Sequence, residues 1–264
     1  MAKFSLLVLY IVYFLGNVKS QRIAGGSTAA ISEYPFAAAL LTNGGSGAYQ
    51  QACGGTILTA SAILSAASCF YTNGVADPAS WWRTRVGSTN GNYGGTIHLI
   101  SRITAHPDFN VTTLANDLAV VRATMNIALQ ANVTEVARIV GTAYTITNNQ
   151  PLTAIGWGAI SGQTLSSEQL RAVNIWAVAQ ATCVSRYSTI EVAVTDNMLC
   201  AGWLDVGIRG QCEGDSGSPL LDSSGAVVGV FSWAQGCAQG NFPGINTRIT
   251  PYVSWIIATA TATV

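Results

Sequence analysis

The sequence predicts an all-β fold, because short apolar runs alternate with turn residues along most of the chain. Seven apolar runs with strand character recur at short intervals, at 36–41, 56–58, 97–103, 118–121, 152–155, 173–178 and 227–233. Clusters of Gly, Asn and Ser separate many of them, as at 43–47 and 87–95. Many short strands joined by such turns are typical of a β-barrel or a β-sandwich.

Two segments are predicted to be helical. The first is 179–187, and the second is 251–258 near the end of the chain. In the second segment Tyr252, Trp255 and Ile256 follow the i, i+3, i+4 spacing of one helix face.

The first 20 residues have the pattern of a secretory signal peptide, with Lys3 followed by an almost wholly apolar run at 4–15. That run is shorter than the roughly 20 apolar residues that span a bilayer, so we predict a secreted protein without a membrane anchor. No lysine follows Lys19. Because arginine keeps its charge to higher pH than lysine, this favours a strongly alkaline fluid, such as a gut lumen, or one rich in lysine-cleaving proteases.

Six cysteines fit an oxidising compartment, and they lie at 53, 69, 183, 200, 212 and 237. An even number in a secreted chain indicates three disulfides, although spacing alone allows 15 pairings. No two cysteines have CxxC spacing and neither histidine lies near one, so we predict no metal site. We also predict no cofactor.

Charge is sparse and balanced. Twelve basic and twelve acidic residues give a net charge of zero, and only 9% of residues are charged. There is no basic stripe and no acidic tail, which argues against a nucleic-acid partner.

A candidate for chemistry is the run Cys-Glu-Gly-Asp-Ser-Gly-Ser-Pro at 212–219. A serine flanked by glycines on a tight turn exposes its hydroxyl. The same turn lets backbone N–H groups point at a neighbouring oxyanion, which acyl transfer requires. The alternative is an ordinary polar turn.

Several segments resemble those of the trypsin/chymotrypsin family of serine proteases, and they occur in the family's order over 23–257. The resemblance is strongest to the digestive proteases of insect larvae. The matching segments are Arg22-Ile23-Ala24-Gly25-Gly26, Cys53-Gly54-Gly55-Thr56-Ile57-Leu58, Asn116-Asp117-Leu118-Ala119-Val120, Gly156-Trp157-Gly158, Asp196-Asn197-Met198-Leu199-Cys200-Ala201-Gly202, and Ser232-Trp233 through Pro243-Gly244.

This resemblance implies a chymotrypsin-like fold of two six-stranded antiparallel β-barrels with a C-terminal helix. The implied division is a signal peptide at 1–20, an activation dipeptide at 21–22 and a protease domain at 23–264. Within that domain the first barrel covers about 23–130, the second about 131–250 and the helix about 251–258. The implied disulfides are Cys53–Cys69, Cys183–Cys200 and Cys212–Cys237.

The resemblance also assigns roles at the site. Ser216 matches the nucleophile, and the N–H groups of Gly214 and Ser216 match the oxyanion hole. Asp117 matches the carboxylate that orients the triad histidine.

Activation follows the family pattern as well. Cleavage behind Arg22 would free the α-amino group of Ile23. Asp215 matches the carboxylate that pairs with this group and shapes the oxyanion hole.

One position departs from the family. Where relatives have Ala-Ala-His-Cys, this chain has Ala-Ala-Ser-Cys, which puts Ser68 at the general-base position before Cys69. A neutral hydroxyl is far too weak a base for that role. The only histidines are His98 and His106, and we expect both to be structural or solvated.

The specificity pocket differs too. Gly210 stands where trypsins carry an acidic residue, and Ala234 and Gly244 map to the pocket wall. Such a neutral, open pocket favours an apolar or aromatic side chain over a cation. Ser218 replaces the second glycine after the nucleophile, where it either crowds the turn or points outward.

Two functions follow. The first is a monomeric, catalytically inactive protease homologue that acts as a binding or regulatory protein, with peptides, proteins or protease inhibitors as ligands in its cleft. The second is a weakly active endopeptidase of apolar specificity, favoured at alkaline pH. Sequons at Asn110 and Asn132 allow N-glycosylation.

Overall fold

Two closed six-stranded antiparallel β-barrels form the fold, which confirms the predicted fold class. The computed structural model describes residues 25–159 and 167–262. The predicted signal peptide, the activation dipeptide and Ile23 lie outside these residues. Within the described ranges no helix has the length and apolar character needed to cross a membrane.

The first barrel closes in the order β2-β3-β4-β9-β8-β7. Its strands are β2 (Ala37–Thr42), β3 (Gln50–Thr59), β4 (Ala62–Ser65), β7 (Trp82–Val86), β8 (Thr96–Ala105) and β9 (Ala119–Ala123). A small hairpin of β5 (Tyr71–Thr72) and β6 (Val75–Ala76) leaves it. β7 alternates buried Trp82, Thr84 and Val86 with half-buried Arg83 and Arg85, as expected of a strand with one face inside a barrel.

The second barrel contains β10 (Pro151–Gly156), β11 (Arg171–Ala177), β12 (Met198–Gly202), β13 (Pro219–Leu221), β14 (Val227–Trp233) and β15 (Gly244–Arg248). It closes because β11 pairs with both β10 and β12. A short strand, β1 (Ser27–Thr28), also pairs with β11. The sequence-based boundary puts this segment in the first barrel, whereas the free edge of β11 attaches it to the second.

Two α-helices complete the chain, α1 (Gln180–Ser188) and α2 (Val253–Thr261). Single 3-10 turns lie at Ile31–Glu33, Ala67–Phe70, Ala79–Trp81 and Thr250–Tyr252. The last of these turns explains why the C-terminal helix begins later than predicted. The predicted helix starts at residue 251, but Pro251 lies in the 3-10 turn, and α2 begins two residues later and ends three residues beyond residue 258.

Three disulfides are present, and they are the pairs that the resemblance implies: Cys53–Cys69, Cys183–Cys200 and Cys212–Cys237. The first ties β3 to the segment that carries Ser68. The third joins the segment before Ser216 to the segment that follows β14. Two of the three disulfides therefore fix the chain on either side of the candidate site.

Arg122 attaches the C-terminal helix to the first barrel. Its guanidinium is buried and donates to the carbonyls of Thr259 and Ala260, at 2.9 and 3.1 Å, and to Ser61 Oγ at 3.0 Å. The last carbonyls of a helix lack partners within the helix and attract positive charge. Arg122 supplies both a charge and donors to this end of α2.

We predict that Arg122→Met lowers the free energy of unfolding by about 2–3 kcal/mol, because buried hydrogen bonds from a charged donor are lost. Chemical denaturation followed by tryptophan fluorescence measures the change. Arg102→Met is the matched control, since Arg102 faces Arg122 in the β8–β9 ladder but is exposed. An equal effect of both substitutions would contradict the role given to Arg122.

Candidate active site

The carboxylate of Asp117 lies buried between the two barrels, directly before β9. Its Oδ1 accepts the backbone N–H of Ser68 at 2.7 Å, and its Oδ2 accepts the Ser68 hydroxyl at 2.8 Å. The hydroxyl of Ser232, on β14, also donates to Oδ2, at 2.5 Å. The first barrel and the second barrel therefore both hydrogen-bond the same carboxylate.

Burial and hydrogen bonding act in opposite directions on Asp117. Burial raises the pKa of its carboxyl and is the larger effect, while the hydrogen bonds from Ser232 and Ser68 lower it. The pKa remains above its ordinary value. Thr247, on β15, donates its hydroxyl to the Asp117 carbonyl at 3.0 Å, which fixes the main chain as well.

Ser216 lies on a turn that contacts the first barrel. Its carbonyl accepts the N–H of Gly54, on β3, at 2.8 Å. Its hydroxyl donates to the carbonyl of Ser232 at 3.1 Å. Within the described residues this hydroxyl has no nitrogen base as a partner.

The two histidines lie elsewhere. The ring of His106 packs against Tyr252 and Trp255, with centroid separations of 5.0 and 4.8 Å. His98 lies on β8. Burial lowers the pKa of both imidazoles, and among the described residues neither hydrogen-bonds Asp117 or Ser216.

Hydrogen bonds to two carbonyl oxygens fix the orientation of the peptide groups that precede Gly214 and Ser216. The Glu213 carbonyl accepts the N–H of Ala159 at 2.6 Å, and the Asp215 carbonyl accepts the N–H of Ser218 at 2.8 Å. In a trans peptide the N–H points away from the carbonyl. The N–H groups of Gly214 and Ser216 are thus turned away from these contacts, and within the described part of the chain neither donates to a protein acceptor.

Two further contacts fix this turn. The buried side chain of Gln51 donates from Nε2 to the Gly214 carbonyl at 2.8 Å. Gly214 has φ +86°, in the left-handed region that favours glycine. The turn is therefore held from the first barrel as well as the second.

Asp215 is fully buried on the other side of this turn. Its Oδ1 accepts the N–H of Gly158 at 2.7 Å, and its Oδ2 accepts the N–H of Cys212 at 3.0 Å. Burial raises the pKa of this carboxyl to about 7, against a smaller lowering by the two hydrogen bonds. Ile23, its expected partner, lies outside the described residues.

Comparison with known proteins identifies the family. Residues 23–256 match the family model for trypsin. This chain belongs to the trypsin family. It is 50% identical over 236 residues to "Trypsin, alkaline A" of Manduca sexta, which covers 89% of this chain and 90% of the relative. It is 48% identical over 242 residues to "Trypsin CFT-1" of Choristoneura fumiferana, with 92% of each chain covered.

A second match points the same way. "Achelase-1" of Lonomia achelous is 46% identical over 223 residues, which are 83% of this chain and all of the relative. These relatives are similar to this trypsin-family chain along nearly its whole length. The likeness therefore includes both barrels and the cleft between them.

A pocket of about 190 Å³ opens beside Ser216 in this trypsin-family chain. Ala234, predicted for the pocket wall, lines it together with Phe231 and Trp233. Gly210 and Gly244 are not part of this lining. Gly210 lies against Ala238, and Gly244 lies against the ring of Phe231.

Ser218 points inward. It is 1% exposed, and its hydroxyl lies 1.9 Å from the position that a Cβ on Gly54 would occupy. A Cβ on Gly156 would lie 2.9 Å from the same hydroxyl. This turn accommodates Ser218 because both facing residues are glycines, and the hydroxyl has no hydrogen-bond partner among the described residues.

Sequence reasoning did not assign a role to Ser232 or Gln51. In the sequence, Ser232 is notable only as part of the Ser232-Trp233 segment that resembles the family. Buried carboxylates are usually hydrogen-bonded, and a neighbouring hydroxyl is a common donor to them. Gln51 gives no local signal, because its contact with Gly214 joins residues 163 positions apart.

The side chains of Asn110 and Asn132, the two predicted glycosylation sites, are exposed. Asn110 Oδ1 accepts hydrogen bonds from the backbone N–H groups of Thr112 and Thr113.

The raised pKa of Asp215 predicts a pH-dependent stability. Between about pH 4 and 7 the folded state keeps a proton that the unfolded carboxyl has lost, so stability falls as pH rises through this window and levels off above pH 7. The stability difference between the uncleaved chain and Asp215→Asn is therefore expected to fall by about 1.4 kcal/mol per pH unit in this window.

Denaturant titrations of both proteins at intervals from pH 4.5 to 9 test this. The asparagine variant is the internal control, because every other titrating group is common to the two proteins. A difference that does not change with pH would contradict the raised pKa.

Proposed function

We propose that this chain is a secreted trypsin-family homologue whose cleft binds peptide-like ligands, including protein protease inhibitors, without cleaving them efficiently. In this proposal Ser68 occupies the position of the triad histidine. The triad then contains Asp117 and Ser216 but no general base.

The observation that carries the proposal is the pair of hydrogen bonds made by the two serine hydroxyls. Ser68 Oγ donates to Asp117, and Ser216 Oγ donates to the carbonyl of Ser232. A carbonyl oxygen does not take up a hydroxyl proton near neutral pH, and a serine hydroxyl is a very weak base. Loss of one member of a related triad costs about 10⁶ in kcat, so little proteolysis is expected.

Ligand binding is supported by what remains around Ser216. The N–H groups of Gly214 and Ser216, which we propose as the oxyanion hole, are oriented by backbone contacts that do not involve an imidazole. The pocket beside Ser216 is large enough to receive a side chain. A cleft of this kind binds an extended peptide segment and an inhibitor loop in the same way.

Further parts of the proposal concern processing and location. We propose that residues 1–20 direct secretion and that cleavage behind Arg22 lets Ile23 reach Asp215. The absence of lysine after residue 19 and the word "alkaline" in the name of the Manduca sexta relative favour an alkaline fluid such as a gut lumen. We further propose a monomer with glycans at Asn110 and Asn132.

A second candidate function is slow endopeptidase activity through Ser216. It is favoured by the same two N–H groups, because an oxyanion hole stabilises the tetrahedral intermediate whether or not a base is present. Residual catalysis of about 10³–10⁴ over water survives loss of a related triad. In that case hydroxide would replace the base.

We predict that Ser68→His increases peptide hydrolysis by at least about 10³-fold in protein cleaved behind Arg22, because the new imidazole would lie between Asp117 and Ser216. Hydrolysis of a mixed peptide library, followed by mass spectrometry, measures this. Ser68→Ala is the control for loss of the Ser68 hydroxyl, and Ser68→His with Ser216→Ala shows that any gain passes through the nucleophile. A folded Ser68→His protein that cleaves nothing would mean that more than the base is missing.

Labelling by a fluorophosphonate separates the two candidate functions. For a binding protein we expect Ser216 to react no faster than other exposed serines between pH 7 and 10. For slow catalysis by hydroxide, labelling rises about tenfold per pH unit without a plateau. Ser216→Ala is the control, and a plateau with a midpoint near pH 6.5 would show that a histidine acts as the base.

A further inference from the structure

The β7–β8 loop, which covers 87–95, is organised around the guanidinium of Arg85. Three main-chain carbonyls of the loop accept hydrogen bonds from this side chain. Nε donates to the carbonyl of Gly91 at 3.1 Å, Nη2 donates to that of Asn92 at 3.0 Å, and Nη1 donates to that of Gly94. A guanidinium has five N–H donors in one plane and keeps its charge to high pH, so one side chain of the first barrel holds the loop, in alkaline fluid as well.

The same loop contacts the second barrel. The Gly91 N–H donates to the Glu168 carbonyl at 2.9 Å. The Thr89 carbonyl accepts two hydrogen bonds, from the indole N–H of Trp157 at 2.9 Å and from the backbone N–H of Leu170 at 2.6 Å. The β7–β8 loop therefore lies across the junction of the two barrels.

Gln51, on β3, is contacted by this loop on its main chain and on its side chain. Asn92 Oδ1 accepts the backbone N–H of Gln51 at 2.7 Å. Gly91 is buried against the Gln51 side chain, since a Cβ at Gly91 would lie 3.2 Å from Gln51 Cγ and 3.2 Å from Cδ1 of Trp157. The β7–β8 loop therefore sets the position of the Gln51 side chain.

Gln51 connects the loop to the turn around Ser216. Its side chain is 7% exposed, and its Nε2 donates to the Gly214 carbonyl at 2.8 Å. The peptide group that contains this carbonyl is also held within the turn, because its N–H, that of Asp215, donates to the Cys212 carbonyl at 3.0 Å. The turn supplies one contact to this peptide group, and Gln51 supplies the other from the first barrel.

The contact from Gln51 matters because the residue that it holds is a glycine. Gly214 has φ +86°, and a glycine changes its backbone dihedrals more easily than any other residue. Because peptide groups are planar, the dihedrals of Gly214 set the angle between its own N–H and the peptide group that Gln51 holds. A shift of Gln51 is therefore transmitted to the Gly214 N–H of the proposed oxyanion hole.

We infer that the β7–β8 loop controls how tightly the cleft binds the carbonyl oxygen of a ligand, with Arg85, Asn92 and Gln51 as positioning residues. Hydrogen-bond networks of this kind carry coupling between separate sites. The inference rests on the proposed function, since it requires a peptide-like ligand whose carbonyl oxygen enters the proposed oxyanion hole. It adds a control point outside the cleft, because the loop is exposed at 92–95 and contributes no residue to the described lining of the pocket beside Ser216.

The first test compares two disulfide-closed peptides that differ only in the bond that faces Ser216. One has an ordinary peptide bond there, and the other has a trans-alkene, which keeps the shape but has no carbonyl oxygen. Isothermal titration calorimetry on the whole chain measures each Kd, and the ratio of the two reports the hydrogen bonds to that oxygen. We expect the ordinary peptide to bind about tenfold more tightly.

Three substitutions in the network test the assignment. Gln51→Met keeps the length of the side chain but removes its donor, and it is expected to reduce the Kd ratio to less than about twofold by weakening the ordinary peptide alone. Asn92→Ala and Arg85→Met are each expected to reduce the ratio by at least about threefold. Arg83→Met is the matched control, because Arg83 lies two residues earlier on β7 and its guanidinium packs over the ring of Tyr49, 3.9 Å from the centroid. This control should keep the ratio of the parent protein.

A second test needs no ligand. Glu213-Gly214 is the one Glu-Gly pair in the sequence, so ¹³C-carbonyl glutamate together with ¹⁵N-glycine isolates the NMR signal of the Gly214 N–H. We expect the three substitutions in the network to move this signal and Arg83→Met to leave it in place. Gly91→Ala removes no contact, but its Cβ would press on Gln51, so we expect it to move the signal as well.

The outcomes separate the two proposals. If the Kd ratio and the Gly214 signal are unchanged in all three network variants, or if both peptides lose affinity equally, the inference is overturned and the proposed function stands. If neither peptide binds the parent protein, the proposed function fails, and the Gly214 signal still decides whether the loop positions this peptide group. A signal that moves equally in the Arg83→Met control would reflect a general effect on the fold and would overturn the inference.

Discussion

The structure depends on the hydrogen bonds that one buried carboxylate, that of Asp117, accepts. Asp117 lies where the barrels meet, and removing its charge from water is costly unless hydrogen bonds replace the hydration. Ser68 supplies two of those bonds, one from its main chain and one from its hydroxyl, and Ser232 supplies a third from the other barrel. The same contacts that stabilise the carboxylate therefore hold the barrels in register at the cleft.

This arrangement explains how a serine at position 68 is compatible with an intact fold. In a triad the imidazole has two roles, since it donates a hydrogen bond to the aspartate and exchanges a proton with the nucleophile. Under the proposed function, in which Ser68 occupies the position of the triad histidine, its hydroxyl performs the first role at 2.8 Å. It has no capacity for the second at neutral pH. The structural contribution of this position and its proton transfer are thus separable, and the first persists without the second.

The turn around Ser216 is similarly independent of an imidazole. Its peptide groups are fixed by Ala159, Ser218 and Gln51, all of which contact carbonyl oxygens. None of these contacts passes through position 68. The geometry proposed to bind a carbonyl oxygen therefore does not depend on whether a base is present.

The sequence predicted local features well and long-range contacts poorly. The runs at 152–155 and 227–233 predict β10 and β14 correctly because both strands are mostly apolar. In contrast, β7 was not predicted because Arg83 and Arg85 interrupt its apolar residues. Ser68 and Asp117 were found because each adjoins a recognisable motif. The contacts of Ser232 and Gln51 were not, because they depend on strand register and on side-chain packing between segments far apart in the chain.

Under the proposed function, the absent base and the retained pocket beside Ser216 have a common physical meaning. An enzyme gains rate only from interactions that strengthen in the transition state, and tight binding of the ground state alone does not raise kcat. The pocket beside Ser216 would act on a ligand side chain that does not change during hydrolysis, so it would contribute to ground-state affinity. A cleft that retains this affinity and lacks a base would hold its ligand instead of turning it over.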